Sequence, residues 1–317
     1  MLKPTRFRAN EYRDLRHPLY HFGGVIMEFS VVICTYNGAS TISECIESLL
    51  DQETESVYEI IVVNDGSTDK TASLLEKYKS DGLRVISHDT NRGLSAARNT
   101  GWQAANGEIV AYIDDDAVAP TDWLSAYEER YEECVDGVGG YPDSYYDELV
   151  GNYEVARGLY RYGPNAENID GPGGMNMTFR RSFLKELGGF DEEFTHIGDD
   201  AELGRRLQKG DYNYIIDTSI TVKHKFPRSV TEYCRKNFQR GKGAKQLSRK
   251  HEEQPRFSRF LLLAIVYPLM VPHAVYEGLQ IHRFAEDESR IGFVILTYLL
   301  RVCNYWGIIY YWIHEGE

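Results

Sequence analysis

Cysteine is scarce and scattered: Cys34, Cys45, Cys134, Cys234 and Cys303 are odd in number and form no Cys-x-x-Cys pair. Neither a disulfide framework nor a zinc site is indicated, and a reducing compartment is the simpler reading. An excess of positive charge is lacking too. Asp and Glu outnumber Lys and Arg by 48 to 35, a net charge of -13. A nucleic-acid partner, which would need a basic face, is therefore not expected. The acidic balance also fits a salt-adapted proteome. Residues 1–26 contain no uninterrupted apolar core of the signal-peptide kind, being basic and broken by Pro4 and Pro18, so the domain that follows is expected to stay inside. With Met27 just before the first clear strand, residues 1–26 read as a loosely held basic extension or the product of a start codon called too early. Internal repeats and low-complexity tracts are absent as well.

What is present is an alternation of strand and helix. Residues 29–36 form a nearly continuous apolar, β-branched run, as expected for a strand buried on both faces of a parallel sheet. In 39–50 the apolar residues Ile42, Cys45, Ile46, Leu49 and Leu50 recur at helical spacing. The pattern repeats as strand 58–63, helix 68–78, strand 83–87, helix 94–105 and strand 108–113. Such alternation implies a doubly wound α/β fold. Residues 141–170, rich in Tyr, Gly, Asp and Asn without a sustained period, read as a long loop or insertion beside the site. A second α/β part follows, with strand 175–179, helices 182–187 and 199–208, and two strands near 212–216 and 221–224. The expected organisation is the extension 1–26, a catalytic domain over 27–250 and a hydrophobic helical hairpin over 251–317.

Polar residues collect where the strands end, which is where open α/β sheets bind ligands. Thr35, Tyr36 and Asn37 end the first, Asp65 the second, and Asp114, Asp115 and Asp116 the fourth. Asp114 and Asp116, two apart on an extended strand, share a face that suits a hard divalent cation, Mg2+ or Mn2+. An isolated Asp-x-Asp is more often a solvated acidic turn; its place after an apolar strand in a βα series reverses that preference.

Val-Val-Ile-Cys-Thr-Tyr-Asn, Val-Val-Asn-Asp-Gly-Ser-Thr-Asp, Asn91-Arg92-Gly93-Leu94-Ser95-Ala96-Ala97-Arg98-Asn99 and Ile-Asp-Asp-Asp, in this order and spacing, resemble the family 2 glycosyltransferases over roughly 29–245. The resemblance implies a GT-A fold, a nucleoside-diphosphate sugar donor and inversion at the transferred sugar. It also implies that Thr35, Tyr36, Asn37, Asp65, Arg98 and Asp115 line the nucleotide-sugar pocket. Asp114 would touch the ribose or diphosphate side and Asp116 would ligate the metal. The glycine-rich 171–176 looks like the family's lip beside the sugar, bringing Gly174 and Asn176 to the donor. Gly198-Asp199-Asp200 resembles the family's Glu-Asp motif, with Asp199 where Glu is usual. Asp200 is preferred as the base; Asp199, followed by Glu202, suits a helix cap.

In related enzymes a histidine placed like His224 can complete the metal shell, although a structural role is also open. Gln239-Arg240-Gly241-Lys242-Gly243 reads as a basic, flexible segment able to close over the diphosphate. It lacks the tryptophan of the Gln-x-x-Arg-Trp motif of processive synthases, so one sugar per encounter is expected.

Residues 260–276 and 291–313 are strongly apolar. The second has the length for a bilayer, whereas the first is at the lower limit and carries Pro268, Pro272 and His273. Arg301 and Asn304 within the second would need a partner or would snorkel. Whether the hairpin spans or lies in the interface stays open, as does a pair of soluble core helices. Lys242, Lys245, Arg249, Lys250, Arg256 and Arg259 would hold the preceding side cytoplasmic at the cell membrane. The expectation is an inverting, metal-dependent glycosyltransferase with a lipid-linked acceptor. A nucleotidyltransferase on a similar fold would show a basic Gly-rich loop after the first strand, and Thr35-Tyr36-Asn37-Gly38 has no basic residue. A non-catalytic scaffold would not need Asp65, Asp114, Asp116 and Asp200 intact.

Overall fold

A computed structural model describes residues 28–131, 134–163, 171, 173–194, 198–210, 212–251, 271–285 and 289–314. The extension 1–26, Met27 as an alternative start and most of the first apolar arm lie outside the described residues.

Strand β1 (Glu28–Thr35) alternates its apolar side chains between two cores. Val31 and Ile33 face one; Val32 faces the other. Strand β2 (Val57–Asn64) does the same with Ile60 and Val62 against Ile61 and Val63. Double-sided burial of this kind is what the uninterrupted apolar runs demanded. With β3 (Arg84–Ser87), β4 (Ile109–Asp114), β5 (Ala117–Val118), β6 (Gly137–Ser144), β7 (Asn176–Arg180) and β8 (Tyr214–His224) the sheet order is β3-β2-β1-β4-β7-β6-β8-β5. The first four strands are parallel, and β7 runs antiparallel to β4. Register places Cys34 beside Asp114 and Thr35 beside Asn64, so three strands end at one level.

One core lies under α1 (Ile42–Leu50) and α4 (Trp123–Glu128), the other under α3 (Leu94–Ala104), α6 (Arg181–Leu187) and α7 (Asp199–Lys209). The helix expected over 68–78 is α2 (Thr71–Leu75) continued as a 3-10 turn, Glu76–Asp81.

Two expectations are corrected. The described part of 141–170, residues 141–163, is not a long loop: β6 runs to Ser144 and α5 (Leu149–Tyr162) follows. The buried face of α5 is Val150, Tyr153 and Ala156, a helical spacing hidden in a Tyr-, Gly- and Asn-rich stretch. The two strands near 212–216 and 221–224 are the single strand β8. Its polar Asp217-Thr218-Ser219 sits where pairing to β6 shifts register between Gly139 and Tyr141, an irregularity in the ladder and not a turn.

Helix α8 (Val230–Lys250) is capped by Ser229, whose hydroxyl accepts from the Glu232 amide at 3.2 Å. It packs with α5, α9 (Val271–His282) and α10 (Arg290–His314) around a third core of Val150, Tyr153, Ala156, Tyr233, Ile281, Phe293 and Leu296. The hairpin thus shares a core with helices on the near side of the boundary expected at residue 250.

Candidate active site

The end of β4 delivers Asp114 and Asp116, and the β5–β8 pairing sets Ala117 against His224. One ligand atom from each of Asp114, Asp116 and His224 lies within 4.8 Å of the others. His224 is buried, its Nε2 3.2 Å from Asp116 Oδ1 and 3.8 Å from Asp114 Oδ2. Its Nδ1 has no hydrogen-bond partner among the described residues. Two carboxylates and an imidazole turned towards one point form a donor set that suits a divalent cation of the Mg2+ or Mn2+ kind. Loss of solvent pushes the Asp114 carboxyl up, against the opposing charge of Arg98. For Asp116 the same loss is outweighed by the charge and hydrogen bond of His224, and its carboxyl is held below the ordinary value.

Asp115, in the turn between β4 and β5, points away from this pair and accepts a hydrogen bond from the buried Thr35 hydroxyl. Burial pushes its carboxyl up to about 7, with the Thr35 hydrogen bond opposing and the Asp116 and Asp114 charges adding.

Arg98, buried on α3, joins the metal-type cluster to the start of α7. Its Nη1 donates to Asp199, its Nη2 donates to the Gly174 carbonyl at 2.7 Å, and Nη2 lies 3.5 Å from Asp114 Oδ1. A Cβ on Gly174 would come within 2.8 Å of Arg98 Nη2 and 3.4 Å of Asp200 Oδ2, so only glycine lets these groups meet. Asp200 therefore opens on the same crevice as Arg98 and Asp114. Burial and then the Asp199 charge raise its carboxyl.

Asp199 does start α7, but the expected capping box is absent. Gly198 is the N-cap with no side-chain cap bond, and Glu202 pairs with Arg206. The Asp199 carboxylate is buried against Arg98 instead.

Several residues expected at the donor have structural work in the fold. Asp65 is buried; its carboxylate accepts from the amides of Arg92 at 2.9 Å and Gly93 at 2.8 Å and meets His88 Nδ1 at 2.6 Å. It thereby fixes the turn into α3 that carries Arg98. Asn37, at φ 58, accepts through its side-chain oxygen from the Thr68 amide at 2.8 Å, tying the ends of β1 and β2. Tyr36 between them is 49% exposed and free to meet a ligand by stacking. Asn176 does not face the crevice: it is fully buried on β7. Its oxygen accepts from Trp123 Nε1 at 2.9 Å and Tyr127 OH at 2.6 Å, and its nitrogen donates to the carbonyls of Tyr141 at 3.2 Å and Ile220 at 3.0 Å.

Arg240 and Lys242 do not belong to a flexible segment; they sit inside α8. Arg240 pairs with buried Glu154 at 3.2 Å, and Lys242 is buried with its Nζ 5.3 Å from the Tyr310 ring centre. In their place the structure brings Lys225, Arg235, Lys236 and Gln239 to a recess beside Asp116. Sequence reasoning missed this set. The signal was Ser229-x-x-Glu232, which starts a helix at Val230 and sets Arg235, Lys236 and Gln239 on one face.

Comparison with known proteins fits this geometry. Residues 30–188 match Glycosyl transferase family 2, and residues 157–277 match Glycosyl transferase family 21. A glucosyl-dolichyl phosphate glucuronosyltransferase of Haloferax volcanii is 33% identical over 191 residues, 55% of this chain and 59% of that protein. The chain thus spans less than two thirds of that relative. Glycosyltransferase AglE of the same organism is 28% identical over 236 residues, covering 69% of this chain and 73% of its own. Among solved structures, mannosyltransferase PcManGT of Pyrobaculum calidifontis, in complex with GDP-Man and Mn2+, has a TM-score of 0.65 at 20% identity, over 92% of this chain and 89% of its own. Residues 1–349 of S. aureus TarS with UDP give 0.53 at 18% identity, over 92% of each chain. At such identities these likenesses show the fold alone, and that fold is GT-A.

Proposed function

The chain belongs to glycosyl transferase family 2, and from that premise we propose that it transfers a single sugar from a nucleoside-diphosphate sugar to a lipid-linked acceptor, with inversion. The observation that carries this reading is the meeting of Asp114, Asp116 and His224 at the strand ends, with Arg98, Gly174 and Asp200 adjoining.

Asp116, Asp114 and His224 would hold Mg2+ or Mn2+, which supplies Lewis-acid stabilisation of the departing diphosphate. Tyr36 is placed to contact the nucleotide. Thr35 and Asp65 shape the pocket from behind, Thr35 through Asp115 and Asp65 through the turn into α3. Lys225, Arg235 and Lys236 offset phosphate charge from the recess. Asp200 removes the proton of the acceptor hydroxyl as its oxygen attacks the anomeric carbon. The bond from that carbon to the phosphate oxygen breaks, and its electron pair leaves on the nucleoside diphosphate. A raised carboxyl pKa suits this role, because such a base binds its proton more firmly.

The acceptor reading is supported by the dolichyl phosphate in the name of the Haloferax relative and by the exposed apolar helices α9 and α10. A cytoplasmic catalytic domain at the cell membrane accords with both.

The test is a donor panel: thermal shift with Mn2+ or Mg2+ and each common nucleoside-diphosphate sugar, then transfer assays on lipid extracts with and without chelator. Metal-dependent stabilisation by one donor and transfer to a lipid fraction are expected. Full transfer in chelator would overturn the metal assignment. Formation of a nucleotide sugar from a nucleoside triphosphate and a sugar phosphate would favour a nucleotidyltransferase.

A further inference from the structure

By length and composition α10 could cross a bilayer: 25 residues with a mean hydropathy of 1.4 over its best window. Read face by face it argues otherwise. Phe293, Leu296, Thr297, Gly307 and Tyr311 are buried on its inner side. That side lies along α8. Tyr233 OH donates to the Leu296 carbonyl at 3.2 Å, and the rings of Phe238 and Tyr310 are 5.5 Å apart. A Cβ on Gly241 would stand 1.9 Å from the Asn304 carbonyl oxygen, and one on Gly307 2.0 Å from that of Phe238. Glycines on both helices thus bring the backbones together, and contact runs from residues 233 and 296 to residues 242 and 310.

Helix α8 is a poor companion for a membrane crossing. It carries Arg235, Lys236, Arg240, Lys242, Lys245, Arg249 and Lys250, and its far face lines the recess beside Asp116. Each such charge at the bilayer centre costs about 3 kcal/mol or more.

The outer side of α10 is apolar without a break. Ile291 (74% exposed), Ile295 (50%), Trp306 (56%) and Ile313 (58%) recur on one face, with the half-buried Tyr298, Val302 and Ile309 between them. Helix α9 extends the face with Val271, Val275, Tyr276 and Leu279, all exposed. Arg301 does not break this surface, because it turns into the seam and pairs with Glu277 of α9. Arg283 and Arg290 are exposed at the end where the two helices meet, where the intervening sequence also carries Glu286, Asp287 and Glu288, and His314 is exposed at the other end of α10, ahead of Glu315 and Glu317 in the sequence.

We propose that α9 and α10 lie in the plane of a membrane interface, their shared outer face in the lipid and neither helix crossing it. The aliphatic side chains of that face suit the acyl region, and its Trp and Tyr rings, apolar with a polar edge, suit the boundary with the headgroups. The placement rests on geometry, independently of what is transferred. Joined to the proposed function, it sets the bilayer about one helix diameter, ~10 Å, from the recess beside Asp116. The head group of a lipid-linked acceptor then reaches the site while its chain stays in the bilayer.

The test uses the full chain with a nitroxide attached through an unnatural residue at position 291, 302 or 313. Depth is read by power saturation in phosphatidylcholine vesicles. Equal depths within about 10 Å of the headgroups are expected. Depths that change by about 1.5 Å per residue through the midplane mean a crossing helix and overturn the proposal. So does shielding of the labels without vesicles, whether by the chain itself or by a second copy. The paired change Ile295→Glu and Ile313→Glu, both at exposed positions, should lower vesicle partitioning at least about tenfold. Donor-dependent thermal stabilisation, which reports the proposed function separately, should be unchanged.

Discussion

The guanidinium of Arg98 and the carboxylate of Asp199, 101 residues apart in the chain, form an ion pair with both side chains only 4% exposed. Asp199 therefore does more than begin a helix. Replacing it with Asn keeps the shape but leaves Arg98 short of a buried counter-charge. Breaking such a pair costs about 3–5 kcal/mol. Asp199→Asn should lower the denaturation midpoint clearly in a thermal melt. A melt within a degree of wild type would show that Arg98 is satisfied without Asp199.

Asp200 should behave differently. Asp200→Asn is expected to leave donor and metal binding within a few-fold of wild type while lowering transfer by about two to four orders of magnitude. Burial, followed by the charge of Asp199, raises the Asp200 carboxyl above the ordinary carboxylate range. A base must be deprotonated to act, so the rate should fall as pH drops through that raised value, at a higher pH than an ordinary Asp would give. Removing the Asp199 charge lowers the Asp200 pKa, and the acid limb in folded Asp199→Asn should shift to lower pH. An acid limb unmoved by Asp199→Asn, with Asp200→Asn still active, would assign the base elsewhere.

The strand ends were legible because apolar runs stop abruptly at Thr35, Asn64 and Asp114, and parallel register then brings them level. Asp114 and Asp116 were legible from two-residue alternation, and His224 from its place at the end of an alternating strand. What could not be read was the direction a polar side chain takes when its partners are distant. Asn176 stands in a glycine-rich stretch that looks like a substrate lip, yet it faces Trp123 and Tyr127 in the interior. Arg240 and Lys242 look mobile beside two glycines, yet those glycines allow close packing, Gly241 against Asn304. Helix α5 was missed because the residues that bury it, Tyr233, Ile281 and Phe293, come much later in the chain.

Asn176→Ala should act on stability and not on substrate affinity. The change strands Trp123 Nε1, the Tyr127 hydroxyl and two carbonyls, each buried polar group costing about 1–3 kcal/mol. Chemical denaturation should show a loss of several kcal/mol. Donor affinity per folded molecule, measured by calorimetry below the new melting point, should stay within a few-fold. A tenfold rise in donor Kd with unchanged stability would return Asn176 to the substrate pocket.

His224→Ala removes an imidazole whose Nε2 faces Asp116 at 3.2 Å. Mn2+ titration followed by electron paramagnetic resonance should show binding weakened about tenfold or more, since one of the three proposed protein ligands is gone. Asp116→Ala should weaken it further, because the carboxylate carries the charge. If Mn2+ binds both variants as it binds wild type, the cluster is not the metal site.

Lys236 and Arg240 separate the two accounts of where phosphate charge is met. Lys236 lines the recess beside Asp116, and its charge reaches both Asp116 and Asp114. Arg240 instead helps hold buried Glu154, whose carboxyl, raised by burial alone, is brought down to about 2 by the charges of Arg157 and Arg240. Lys236→Ala should reduce transfer by about 10²-fold, the scale of one charge-stabilising group in the transition state, with little change in melting temperature. Arg240→Ala should do the reverse. Glu154 keeps Arg157 at 2.7 Å, so the expected loss is about 1–3 kcal/mol of stability, with the transfer rate of folded enzyme near wild type. At constant temperature well below both melts, kcat and KM for donor measured on the two variants decide the matter. A catalytic defect confined to Arg240→Ala would place the diphosphate against the middle of α8, and a defect confined to Lys236→Ala would place it in the recess.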